Sequence, residues 1–430
     1  MHGSAAAALV LAATALGTAS LLAQARPDAF GAPLTHPAIQ YADRQPHDRI
    51  ARLNADLERG AIQLPFDPAN GYLRALLTAT GLSPTSQVLV FSETSAQAEH
   101  INMRNPRAIF FDDDLAIGWV RGATALEVAA HDPEQGVIFY TLEQKPSSSP
   151  RFTRDNGCLL CHDIWETHGV PGFQVLSTFP MEDARAYANG LVTDHRTPFP
   201  ERWGGWFVTG RAVPAHHYGN LPVVRPLSSR STPRAPALPS VTDQFDLTGY
   251  PSDTSDVVAL MVLEHQSRIA NMITWLGWEA RVAAADIGRM RPQAGGGNGD
   301  RVQYVARQLV DYMLFLDEAP LSEPVEGSAG FAGQFAARGP KDSAGRSLRA
   351  FDLRTRLFRY PCSYMIDSAA FATLPSAAKQ AVYSRLWDVL SGADASPEYK
   401  RLSLADRRAV AGILKETHAD LASGFGSVVR

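Results

Sequence analysis

Two cysteines and one histidine within five positions form the densest chemistry in the sequence. Cys158, Cys161 and His162 make a C-x-x-C-H run, in which two residues separate the thiols and the histidine directly follows the second one. Two thiols at this spacing can add to the two vinyl groups of one haem, and the adjacent imidazole can bind its iron. Because the chain has only three cysteines and 12 histidines, a chance match is improbable. The run predicts one covalently bound haem c, with His162 as proximal iron ligand.

Two other chemistries use the same cysteine spacing. A redox dithiol of the thioredoxin type opens a helix after a strand of an α/β sheet, whereas this run lies in a Gly- and Pro-flanked segment after short strand-like runs. A structural zinc site needs further ligands in a second C-x-x-C or an H-x-x-x-H pair, and the sequence has neither. Both alternatives are less favoured than haem. The third cysteine, Cys362, is interpreted as a small buried apolar residue without a role.

The sixth coordination position of the iron has several candidates, since His and Met are common axial ligands. Met181 follows His162 closely, and the next methionine, Met261, lies far away on a presumed helix. We therefore expect His195 as the second iron ligand, followed by His217 and then Met181. The alternative is a five-coordinate iron with an open distal side, in which His195 is a structural or surface histidine.

Two neighbouring segments fit a haem environment. The run from 169 to 172 reads Gly-Val-Pro-Gly, and we expect the Pro171 carbonyl to accept a hydrogen bond from the His162 ring, with a simple turn as the alternative. Residues 194–210 are rich in Arg, Trp and Gly, which can neutralise propionates, pack on a porphyrin and permit close backbone approach. An ordinary strand with packed aromatic residues is the alternative interpretation for that stretch.

The chain resembles a group of large, poorly characterised bacterial cytochrome c domain-containing proteins. The resemblance rests on the C-x-x-C-H and Gly-Val-Pro-Gly runs and on the segments 91–95 (FSETS), 107–111 (RAIFF), 118–120 (GWV), 194–199 (DHRTPF), 201–206 (ERWGGW) and 360–362 (YPC). It covers most of the mature chain and implies haem binding and electron transfer, without a substrate. An all-helical small cytochrome fold is not expected, because the haem segment lies between a β-rich part and a helical part.

The N-terminal residues have the pattern of a secretory signal. Residues 1–22 are almost all small or apolar, and the Ala-Gln-Ala sequence at 23–25 is a small-x-small cleavage site, although His2 stands where a basic residue is usual. We predict cleavage after Ala25 and a periplasmic or other extracytoplasmic location. A membrane anchor is the less favoured alternative, since the apolar run is short. Covalent haem attachment outside the cytoplasm agrees with export.

The remaining elements indicate an α+β fold. Residues 26–146 combine helix-like spacing with an antiparallel β-meander, residues 147–220 form the haem segment, and residues 221–250 are a Pro- and Ser-rich linker before a helical region at 251–430. The predicted strands are 88–91, 108–111, 115–120, 126–130 and 137–142. The predicted helices lie within 38–60 and at 71–80, 254–284, 301–316, 376–390 and 403–417.

Composition narrows the possible functions. The chain of 430 residues is 45% hydrophobic and 20% charged, as in globular proteins, and its net charge of -4 argues against nucleic-acid binding. We predict an exported mono-haem electron-transfer protein that meets a redox partner protein. Membrane contact is not implied after signal cleavage. The alternatives are a peroxidase-like oxidoreductase in which His195, Arg196 or Arg202 assists at an open distal site, and a haem-bearing sensor or subunit. The oligomeric state is left open.

Overall fold

The computed structural model describes residues 32–178, 190–222, 234–286 and 298–422. The predicted signal segment, 1–25, and the candidate ligand Met181 lie outside these residues. Within them the α+β prediction is confirmed: an antiparallel sheet occupies the first half, and the second half is mainly helical.

Two short helices precede the sheet, α1 (Arg49–Glu58) and α2 (Leu73–Thr80). Asp48 begins α1, because its carboxylate accepts hydrogen bonds from the backbone N–H groups of Ile50 and Ala51. Gly81 ends α2 in the left-handed region at φ 70°, where glycine is favoured. The sequence predicts both helices, although the first predicted segment, 38–60, is longer than α1.

The main sheet has seven strands and contains the predicted meander. The described strands are β1 (Val88–Val90), β2 (Arg107–Phe111), β3 (Leu115–Trp119), β4 (Ala125–Asp132), β5 (Gly136–Glu143), β6 (Thr153–Arg154), β7 (Leu176–Thr178), β8 (Gly190–Val192) and β9 (Trp206–Phe207). Strands β7 and β8 form a separate two-stranded sheet. The order in the main sheet is β6-β5-β4-β3-β2-β1-β9. Strands β6 and β9 belong to the predicted haem segment, so that segment is built into the sheet at both edges.

Helices dominate the rest of the chain. Those described are α3 (Leu159–His162), α4 (Val257–Asp286), α5 (Asn298–Met313), α6 (Phe331–Ala337), α7 (Ala369–Ala372), α8 (Ser376–Ser391), α9 (Leu404–Thr417) and α10 (Ala419–Ala422). The sequence predicts α4 as an amphipathic helix, but its residues from 257 to 280 are buried on nearly every side. It packs against α5, α6 and α8 and against the haem segment, and several of its polar side chains, those of His265, Gln266 and Asn271 among them, hydrogen-bond inside the protein. No helix among the described residues has the length and apolar character needed to cross a membrane.

Candidate haem-binding site

The two motif cysteines and the histidine lie on one short helical stretch. A 3-10 turn over Asn156–Cys158 runs directly into α3, and the Asp155 carboxylate caps it by accepting a hydrogen bond from the Gly157 N–H. Residues three apart on a helix lie on the same side, so Cys158 and Cys161 are neighbours. Both are half-buried and form no disulfide. The two thiols are therefore placed for attachment to one group.

The His162 ring is held in one orientation by the backbone. Its Nδ1 lies 2.9 Å from the Gly172 carbonyl oxygen, and the Gly172 N–H donates to the His162 carbonyl at 2.9 Å. A carbonyl only accepts, so Nδ1 carries the proton and Nε2 keeps the lone pair that a metal needs. Burial lowers the pKa of His162, which keeps the ring neutral. The ring thus fits a proximal iron ligand.

The prediction that Pro171 supplies this carbonyl is wrong by one residue. The Pro171 oxygen accepts the Val137 N–H at 3.0 Å, at the start of β5. This bond directs the Pro171 carbonyl towards the sheet, and the next carbonyl, that of Gly172, meets the His162 ring instead. The expected orienting bond is present, with a different acceptor.

Two asparagines anchor the haem segment to helices on either side. Asn271 of α4 accepts from the Phe173 N–H at 2.8 Å and donates to the Phe173 carbonyl at 2.7 Å. Asn54 of α1 makes the same pair of bonds to Phe152, at 2.9 and 2.8 Å. A side chain at Gly172 would collide with Asn271, since a Cβ there would lie 2.4 Å from its Oδ1. The backbone that orients His162 is thus fixed next to the site.

The surroundings of Cys158 disfavour its thiolate form. Burial, followed by the charges of Asp155 and Glu127, raises the pKa of Cys158 to about 11. Nucleophilic cysteines of redox motifs have lowered pKa values, because the thiolate is the reactive form. The environment of Cys158 therefore argues against the dithiol interpretation.

The structural-zinc interpretation lacks further ligands. Across the described ranges no group of three or more His, Cys, Asp or Glu side chains is arranged to hold a metal ion. Cys362 is fully buried, in agreement with its expected role as a small apolar residue, and burial raises the pKa of its thiol.

His195 lies in a buried cluster of its own. Its Nδ1 is 2.7 Å from Nδ1 of His265, whose Nε2 is 2.7 Å from the Ser363 hydroxyl, and its ring packs on Tyr312 with centroids 4.1 Å apart. Burial lowers the pKa of His195 well below its usual value. Its Nε2 is buried and makes no hydrogen bond within the described part of the chain. The ring is therefore fixed through one nitrogen, with the other left without a partner.

His195 and the motif histidine, His162, have different charged neighbours. The charged groups that act on His162 are Arg107 and Glu127 of the sheet, whereas those around His195 include Arg202 and Arg268. The two histidines thus occupy different electrostatic environments. Iron ligation by His195 stays a prediction.

Arg196 and Arg202, which the sequence suggests as partners for haem propionates, each pair with a carboxylate of the chain. Arg202, 2% exposed, pairs with the fully buried Glu264 at 2.8 Å and donates to the His195 carbonyl at 3.0 Å. Arg196 pairs with Asp194 at 2.6 Å. These contacts favour a structural role for Arg202 in holding the 194–202 segment against α4.

The second distal candidate, His217, is also buried. Its Nδ1 accepts the Gly219 N–H at 3.0 Å, and its ring meets Trp203 edge to face at 5.0 Å. Burial lowers the pKa of His217 to about 4, so it is neutral at physiological pH.

Comparison of the chain with family models, with curated proteins and with solved structures gave no match.

Proposed function

We propose that this chain is an exported electron-transfer protein that carries one haem c on Cys158 and Cys161, with His162 as the proximal iron ligand. The observation that supports it most strongly is the 2.9 Å contact between His162 Nδ1 and the Gly172 carbonyl, which leaves Nε2 for a metal. When bound, the haem supplies a reversible one-electron couple at its iron.

The residues of the chain control that couple through position and environment. The Gly172 carbonyl makes the His162 imidazole more electron-rich by accepting its Nδ1 proton in a hydrogen bond, which strengthens it as a ligand. Phe139 packs against the same ring, with centroids 4.7 Å apart, and limits the access of water. Two thioether links would hold the group while electrons enter and leave, so no substrate pocket is required.

The cellular setting belongs to the same proposal. Export rests on the apolar residues 1–22 and the 23–25 cleavage pattern, and it would place the chain where haem is attached covalently in bacteria. A carrier of this kind needs a redox partner protein. The proposed site lies at the surface, since Leu160 between the two cysteines is 87% exposed.

Visible and EPR spectra of the purified haem-loaded protein, in both oxidation states, test the proposed function. An electron carrier should give a low-spin, six-coordinate spectrum that changes little with carbon monoxide or cyanide. A high-spin spectrum with rapid binding of either ligand would contradict electron transfer as the primary role and favour the oxidoreductase. A protein that contains no haem would overturn the proposal as a whole.

A further inference from the structure

The two faces of the main sheet are covered to different extents. On one face of β2 to β5 the side chains are fully buried, as Phe110, Ile117, Val128 and Tyr140 illustrate. On the other face Ala125, at the start of β4, and three further apolar residues are only partly buried: Ile109, Ala116 and Ala129. We call these three residues the open strip. Arg107, Glu127 and Thr141 share this face, and Ile109 and Ala116 also pack against the hydrophobic core, so the strip is a small, partly covered apolar area beside charged groups.

Helices cover this face at two places beside the strip. Phe111 packs against Phe331 of α6 with ring centroids 5.7 Å apart. At another part of the same face the His131 ring contacts the Thr274 hydroxyl of α4 at 2.9 Å. The open strip lies beside these contacts, on a part of the face where Arg107, Glu127 and Thr141 are also only partly buried.

The strip begins beside the proximal histidine. Phe139, which contacts the His162 ring, pairs in register with Ala129 of β4, and Ala129 pairs with Ala116 of β3. Paired residues on adjacent antiparallel strands point to the same face, about 4.8 Å apart per strand. The row from Phe139 to Ala116 thus spans about 10 Å, which is comparable with the width of a porphyrin.

An ion pair borders the strip. Arg107 and Glu127 approach to 2.6 Å, and the Arg107 guanidinium lies over Gly118, where a Cβ would be 2.4 Å from its Nη2. Glu127 and Arg107 both act electrostatically on the Cys158 thiol. The strip, the ion pair and the first haem-attaching cysteine are therefore neighbours.

We propose that the open strip is the surface on which one side of the haem c lies, an inference that rests on the proposed function. Small side chains at 116 and 129 leave room for a flat ring, and an apolar macrocycle would cover carbon atoms that water now reaches. The sheet, and not a helical bundle, then forms one wall of the haem site.

Thiol labelling of the mature protein tests this inference. Ala116→Cys is made in the haem-loaded chain, where Cys158 and Cys161 are blocked by haem, and in a haem-free chain with Cys158→Ser and Cys161→Ser. We expect maleimide to label residue 116 at least tenfold more slowly in the haem-loaded chain. Ala61→Cys, at an exposed position after α1, is the matched control and should react at equal rates in both forms.

Each outcome has a distinct meaning. Equal labelling of residue 116 in both forms, with one haem per chain confirmed by intact mass, would overturn the strip and leave the proposed function standing. Absence of haem from the wild-type chain would overturn the proposed function itself.

Cys362 is fully buried, so its labelling in the haem-free chain would show that this chain is unfolded. In that case the inference is tested by comparing two haem-loaded variants. Ala116→Leu should then shift the Soret band or reduce haem content, whereas Ala75→Leu, at a half-buried alanine of α2, should do neither. Identical spectra and haem content in the two variants would overturn the inference.

Discussion

Removal of the Asn271 side chain is expected to disturb the candidate haem site through the backbone at Phe173. Asn271 is 2% exposed and holds both backbone groups of Phe173, the residue next to the carbonyl that orients His162. Asn271→Ala breaks both bonds at once. Among the described residues, Asn271 hydrogen-bonds to the Phe173 backbone and to neither His162 nor the cysteines. It therefore acts as a positioning residue, and the effect of its removal travels through the backbone.

The expected cost follows from the two bonds. Each contributes about 0.5–1.5 kcal/mol net, and a backbone group left buried without a partner costs about 1–3 kcal/mol. Because Phe173 is half-buried, water can reach part of what Asn271 releases. We expect the free energy of unfolding to fall by about 2–4 kcal/mol.

Denaturant unfolding measures that loss, and redox titration of the haem-loaded protein measures its consequence at the iron. If the Gly172 carbonyl moves away, the His162 imidazole becomes a weaker donor and the midpoint potential should rise. Asn54→Ala is a matched control, because it removes the same pair of bonds from Phe152. It should lower stability by about 1–2 kcal/mol, since Asn54 is half-buried, and leave the potential unchanged.

Two results would refute this reasoning. A loss of stability below about 0.5 kcal/mol in Asn271→Ala would show that the bonds to Phe173 contribute little. Equal shifts of potential in the Asn271 and Asn54 variants would show a general loosening of the segment, without a specific role for the Gly172 carbonyl.

Three further predictions concern export, the distal ligand and pH. N-terminal sequencing of the mature protein should begin at Arg26, and an intact Met1 on haem-loaded protein would contradict cleavage. If His195 binds iron, His195→Ala should turn a low-spin spectrum into a high-spin one with haem still attached, while an unchanged spectrum would exclude this ligand. Burial raises the pKa of the Glu318 carboxyl group from 4.5 to about 7. The protonated carboxyl group therefore stabilises the folded chain. This stabilisation is complete below about pH 4.5 and is lost as the pH rises through 7. Glu318→Gln should flatten that decline, and parallel stability curves for the variant and wild type would contradict it.

Local patterns in the sequence predicted most of the helices and strands. The five meander strands agree within about two residues at each end, because period-2 alternation and turn residues are properties of adjacent positions. Strand β9 lies within residues 194–210, for which an ordinary strand is the alternative interpretation, but its pairing with β1 depends on contacts over a hundred positions away. The burial of α4 was missed, although an apolar run on nearly all sides of a helix is a usable signal.

The candidate site, too, could be predicted only in part from the sequence. The C-x-x-C-H spacing selects Cys158, Cys161 and His162 as candidates without structural help, because haem attachment would require that spacing. The orienting carbonyl was assigned one residue away from its true position, since the direction of each carbonyl in a turn depends on what the neighbouring one contacts. The anchors Asn54 and Asn271 could not be predicted, because each contacts a residue 98 positions away.

Intact-mass analysis of the full chain, produced in bacteria with a c-type maturation system, tests the central claim most directly. The proposed haem attachment predicts a mature chain heavier by one haem, which acidified organic solvent does not remove. Cys158→Ser with Cys161→Ser should abolish this increment, whereas Cys362→Ser should leave it unchanged. A wild-type chain without the increment, or one that loses its haem to the solvent, would contradict the account.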